Sequence, residues 1–80
     1  MLRLSKHTAE EMDGRRIRLT YIEAALASPD RVASDPNDPA LTRSFKAIPE
    51  FGNRVLRVVD RPAGDDIFVV TAHWDRGARR

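Results

Sequence analysis

Two β-branched runs, Arg54-Val55-Leu56-Arg57-Val58-Val59-Asp60 and Ile67-Phe68-Val69-Val70-Thr71-Ala72-His73-Trp74, sit six residues apart near the end of the chain. Runs this rich in valine and isoleucine favour pleated strands, and the short connection Arg61-Pro62-Ala63-Gly64-Asp65-Asp66 favours an antiparallel pair. These are read as the central strands of a meander. Upstream, Leu41 to Ile48 alternates between two dissimilar sets of side chains, as a further strand does. Arg31 to Asp35 makes a short edge strand, separated from it by Pro36-Asn37-Asp38-Pro39, a turn whose prolines stay out of a sheet interior. Leu2 and Leu4 can add a short N-terminal strand.

The first third of the chain is helical in pattern. Ser5 is placed to cap a helix over about Lys6 to Asp13, with Thr8 and Glu11 at capping-box spacing and Gly14 as its left-handed stop. Thr20, with Glu23 three residues on and Leu19 as a staple, signals a second helix over about Tyr21 to Ala27, ended by Ser28-Pro29. Ile22, Ala25 and Leu26 share its apolar face. The expected fold is α+β: two short N-terminal helices on one face of a three- or four-stranded antiparallel sheet.

All of this fits one domain over residues 1–80. At 80 residues, with 41% apolar and ten of those alanine, the chain has a thin core and no room for two lobes with a cleft between them. There is no cysteine, which removes thiol catalysis, disulfides and Cys-ligated zinc, and two histidines offer little for a metal site. No metal and no cofactor is expected. Nothing resembles a signal peptide or membrane span, so the chain is read as soluble and cytoplasmic, with no membrane partner.

Fourteen basic residues against twelve acidic give a net charge of +2, with the positive excess in residues 41–80. Twelve of the fourteen are arginine, the side chain that forks onto phosphates and stacks on bases. Arg-rich genome composition is the plainer source of that count.

Individual residues point further. Arg57 stands between Val55 and Val59 on one face of a central strand, and a guanidinium there needs either a ligand or a carboxylate such as Asp60 or Asp75. Arg43 on the neighbouring strand can extend a basic face. His73 is a proton shuttle near neutral pH or a solvent-facing strand end, and Trp74 is a stacking platform for a base or ordinary core packing. Register decides whether Thr71 and His73 join Arg57. Pairing of Asp60 with Ile67 puts them on the opposite face, whereas a one-residue slip or bulge puts them beside it. His7 faces the sheet rim or water. The basic tail over 76–80, with Arg76 and Arg79, clasps RNA phosphates or is simply solvated.

Taken together, Ser5-x-His7, Met12, Gly14-Arg15-Arg16-Ile17, Ser28-Pro29-Asp30, Arg54-Val55-Leu56-Arg57-Val58-Val59 and Val69-Val70-Thr71-Ala72 resemble a bacterial family of small domains of unknown function. That family is similar to the BrnT-type and wider RelE-like toxins, small α+β proteins that cleave mRNA or inhibit translation and are neutralised by an antitoxin. The resemblance implies a RelE/BrnT-like fold, RNA and an antitoxin protein as partners, and a metal-independent endoribonuclease. His73 would then be the catalytic proton shuttle, with Arg43 and Arg57 stabilising the phosphate and Arg76, Arg79, Lys46, Trp74 and His7 holding RNA. This chain departs from the toxin pattern at His73, where that pattern has arginine, and at Arg15 or Arg16, where it has histidine. A different class stands beside this one: a non-catalytic protein–protein interaction module or homodimer, using the open sheet face or the edge strand Arg31–Asp35.

Overall fold

The computed structural model describes residues 2–76. In chain order it runs β1 (Leu2–Leu4), α1 (Lys6–Arg15), α2 (Leu19–Ala27), β2 (Arg31–Ser34), β3 (Thr42–Ile48), a 3₁₀ turn (Pro49–Phe51), β4 (Arg54–Ala63) and β5 (Asp66–Trp74). The fold class is α+β, but the sheet is five-stranded and mixed, ordered β1-β5-β4-β3-β2. β1 is the strand that changes the class of sheet: it pairs parallel to β5, Leu2 with Ile67 and Leu4 with Val69, while every other pair is antiparallel. Three residues suffice for it because Leu2 and Leu4 both turn into the core.

Ser5 caps α1 as its position suggests, its hydroxyl accepting from the Thr8 amide at 3.0 Å. Thr8 does not complete a capping box. It is fully buried, and its hydroxyl donates to the Val69 carbonyl at 3.1 Å while that of Ser5 donates to the Val70 carbonyl at 2.8 Å. These two carbonyls lie at a bulge in β5. The register runs Val59 with Thr71 but Asp60 with Val69, leaving Val70 without a partner on β4. The start of α1 therefore satisfies the carbonyl of Val70, the residue that the bulge leaves without a partner on β4, and adds a second donor to the Val69 carbonyl, which also accepts from the Ser5 amide at 3.0 Å.

The left-handed stop of α1 falls at Arg16, at φ 59°, and not at Gly14, which is helical. The amides of both Arg16 and Ile17 converge on the Met12 carbonyl, a Schellman-type ending. Ile17, 3% exposed, explains the choice of residue: the chain must turn one step before the side chain that enters the core. α2 begins at Leu19 with Arg18 as an extended N-cap lacking a side-chain bond, so Thr20 lies inside the helix and does not cap it.

Strand β4 continues through Arg61-Pro62-Ala63, residues read from sequence as a connection. Pro62 lies opposite Ile67 of β5, but β3 pairs with β4 only as far as Asp60, so on the β3 side there is no ladder for the proline to break. The hairpin itself is Gly64-Asp65, with Gly64 at φ 66°, a value glycine adopts without a Cβ penalty.

The core lies on one side of the sheet. Leu56, Val58, Val69, Ala72, Trp74 and Ile48 pack against Ile17, Tyr21, Ile22 and Ala25 of the helical layer. The opposite side carries no helix, yet Phe45, Ala47, Val55 and Val59 are also buried there. Among the described residues no helix is long and apolar enough to cross a membrane.

Candidate functional site

Strand alternation together with the register defines the helix-free face. Arg57 lies between Phe45 on β3 and His73 on β5, and Val59 between Arg43 and Thr71. Beyond the bulge, Arg61 pairs with Phe68, which pairs with Arg3 of β1. At the other margin Arg31 pairs with Phe45, and Ala33 with Arg43. Arg3, Arg31, Arg43, Arg57 and Arg61 thus share one face, contributed by four strands.

Each of these arginines is held. Arg3 pairs with Asp66 at 3.1 Å, Arg43 with Asp35 at 3.1 Å and Arg57 with Asp75 at 3.5 Å. The other two lie over rings, Arg31 at 4.0 Å from the centre of Phe45 and Arg61 at 4.9 Å from that of Phe68. Asp35 is itself fixed: the Asn37 and Asp38 amides donate to it at 2.8 and 3.1 Å. Those bonds, the Asn37 amide first, together with Arg43, hold its carboxyl below the usual range and outweigh its partial desolvation.

The centre of the face is chemically distinct. The Arg57 Nε donates to His73 Nε2 at 2.9 Å, with Nη2 also against that nitrogen. An imidazole nitrogen accepting from a guanidinium is unprotonated, which places the ring proton on Nδ1. Burial, then Arg57, then Arg15 push the His73 pKa below its ordinary value, with Glu11 and Asp75 opposing them. Arg15 and Glu11 belong to α1, which packs against β5 where β1 has ended. The Trp74 indole fixes this contact by donating to the Arg15 carbonyl at 2.9 Å. Arg15 pairs with Glu11, and His7 Nε2 lies 3.5 Å from the other Glu11 oxygen. An open cleft of about 250 Å³, lined by His7, Glu10, Glu11, Gly14 and Arg15, runs along this side of α1.

Of the residues singled out from sequence, the structure brings Arg57 and His73 into contact. The bulge supplies the register this requires. Arg43 shares their face but stands further along it, tied to Asp35. Trp74 and Lys46 lie on the other side of the sheet, both paired with Leu56. The Trp74 ring stacks on Phe51 at 4.3 Å, tilts against Tyr21 and lies under Arg54, so it is core packing and not an open platform. Lys46 donates to the Ser28 carbonyl at 2.9 Å and lies 3.9 Å from Asp30. His7 is mostly exposed on α1, Arg76 is exposed, and Arg79 lies outside the described residues, as does most of the 76–80 tail. Arg3, Arg31, Arg61, Glu11 and Arg15 were not anticipated. Arg57 and Arg61, four apart, carry the one signal that finds a member of this set, once Arg61 is assigned to a strand.

The architecture defines a small α+β domain with an arginine-lined open sheet face centred on a neutral histidine. The chain belongs to the DUF4258 family, described as a domain of unknown function, whose model matches residues 4–74. Comparison with curated proteins and with solved structures gave no match.

Proposed function

We propose that this domain binds RNA on its helix-free sheet face and cleaves it at His73 without a metal, as a toxin-like protein held in check by an antitoxin. The observation that carries the reading is the contact of Arg57 with an unprotonated His73 at the centre of a face to which four strands contribute arginine. Guanidinium groups bind phosphates in bidentate geometry, and Phe45 and Phe68 lie among them. In the cleavage step His73 Nε2 takes the proton of a ribose 2′-hydroxyl. The 2′-oxygen bonds to phosphorus, the bond from phosphorus to the 5′-oxygen breaks, and that oxygen receives a proton from the imidazolium or from water. Arg57, and Arg43 further along, offset the charge that builds on the phosphoryl oxygens.

The test pairs two measurements on the purified chain: RNA affinity as a function of salt, and the ends of any products. Affinity that falls with salt, together with 2′,3′-cyclic phosphate and 5′-hydroxyl ends that disappear in His73→Ala and Arg57→Ala, supports the proposal. Full cleavage by both folded variants sinks the catalytic assignment, and failure to bind RNA sinks the reading as a whole. Induced expression in a bacterial host, followed for growth arrest and RNA integrity, tests the toxin aspect.

One observation favours a second reading. The outer edge of β2 pairs with no strand among the described residues, and its Val32 is 55% exposed. A partner strand, from an antitoxin or a second copy, can add there, and a monomeric chain that captures no partner argues against it.

A further inference from the structure

We propose that Arg57 of β4 and Arg15 of α1 together form a binding site for a single phosphodiester over His73, and that filling it uncovers the imidazole. This rests on the RNA reading and names the place on the face where the reacting phosphate sits.

The geometry begins with an obstruction. The only ring nitrogen of His73 able to accept a proton is Nε2, and Arg57 occupies it at 2.9 Å. While that bond stands, His73 accepts no proton from a substrate. Arg57 is held in place by Asp75, 3.5 Å from its Nη1. An anionic phosphodiester offers the guanidinium two oxygens in the geometry it prefers and competes with both the imidazole and Asp75.

Arg15 supplies the second half of the site from a different element. Its carbonyl accepts from the Trp74 indole, which lies on the helix side and seats the end of α1 against β5, while its side chain is 54% exposed and its charge acts on His73. Its partner is Glu11, whose buried Oε2 lies against the Arg15 Nε. Each arginine therefore has a carboxylate that neutralises it at rest and that a phosphate can displace. The cleft along α1 continues from Arg15 past Glu11 to His7 and gives room for the chain flanking the bound phosphate.

The charged groups acting on His73 are Arg57 and Asp75 from the sheet and Glu11 and Arg15 from α1. Beside Arg57, β3 contributes Phe45, which is uncharged, with Arg31 stacked over it from β2. Moving Arg57 from the ring onto a phosphate removes a cation from Nε2 and brings an anion close to it. Both changes raise the affinity of Nε2 for a proton, which readies the neutral ring to take one from a substrate hydroxyl.

The experiment follows the His73 ring by NMR across pH, alone and with a 2′-deoxy dinucleoside monophosphate, which carries the diester but has no hydroxyl to react. The His73 titration midpoint is expected to move to higher pH with the diester. Arg15→Gln and Arg57→Gln should each weaken its binding about tenfold, the loss of one charge-assisted contact. Arg18→Gln, an equal charge change at the start of α2, should leave binding as it was. An unmoved midpoint, or Arg15→Gln binding as tightly as the parent, overturns the proposal. Response to inorganic phosphate but not to the diester overturns it in favour of a free-anion site. RNA that binds while His73 stays unmoved sinks this site and leaves RNA binding by the face standing.

Discussion

The two faces of this sheet solve one burial problem with different materials. Under the helices, Leu56 and Val58 meet Ile22, Ala25 and Tyr21, apolar against apolar, with side chains fixed by packing. On the other side Phe45, Ala47, Val55 and Val59 are nearly as dry, but no helix lies over them and the neighbouring side chains are arginines tethered to carboxylates or laid over rings. Arginine stems exclude water while keeping their charge at the surface. A cover of this kind can shift without unfolding the domain, whereas a helical cover cannot. Close apolar packing is thereby concentrated on one side, and the tethered arginines on the other.

The largest expected effect breaks the helical side. Leu56→Ala should cost roughly 2–5 kcal/mol, a large fraction of the stability of so small a domain, measured by urea unfolding. A sharper test uses adjacent valines of β4 that point to opposite faces. Val58→Ala should cost about 2 kcal/mol, and Val59→Ala about half that, because flexible arginine stems settle into the space that packed helices leave empty. Equal losses would mean that the arginine cover is as rigid as the helical one.

Arg57→Gln probes the open face in the reverse sense. It should change stability by no more than about 1 kcal/mol while weakening RNA binding about tenfold and lowering the slope of log affinity against log salt by about one. pH separates the faces again. The folded chain holds His73 neutral, so between its lowered pKa and the ordinary value of about 6.5 the unfolded state binds more protons. The stability this confers is complete above about pH 6.5 and is lost as pH falls through that interval. Thermal melts should show the loss in the parent and less of it in His73→Gln. The smallest effect lies on the helix side, where burial raises the Asp60 pKa and its Oδ1 has no hydrogen-bond partner. Asp60→Asn should raise stability near neutral pH by on the order of 0.5 kcal/mol.

Much of the fold could be read from local pattern, because the helices and the four longer strands each announce themselves in alternation, caps or prolines. What escaped was set at a distance. Leu2-Arg3-Leu4 is too short to declare a parallel partner, and the stop at Arg16 follows from where Ile17 must go. The site was half legible for the same reason. His73 and Arg57 stand out as polar residues in apolar runs, but only register brings them together, and nothing local marks Val70 as the unpaired residue. Arg43 carries no sign of Asp35 eight positions earlier, and Glu11 and Arg15 look like an ordinary helical pair until α1 is placed beside β5.

That unpaired residue has a use of its own. With Val70 removed, Val59 would still face Thr71 and Arg57 would still face His73, so the open face would keep its chemistry in an uninterrupted ladder. The carbonyl that receives the Ser5 hydroxyl would be gone, and with it one of the fastenings of α1. The length of β5 is in this sense dictated by the helix and not by the sheet: a strand one residue longer than its neighbour requires serves as the hook on which the helix bearing Glu11 and Arg15 hangs.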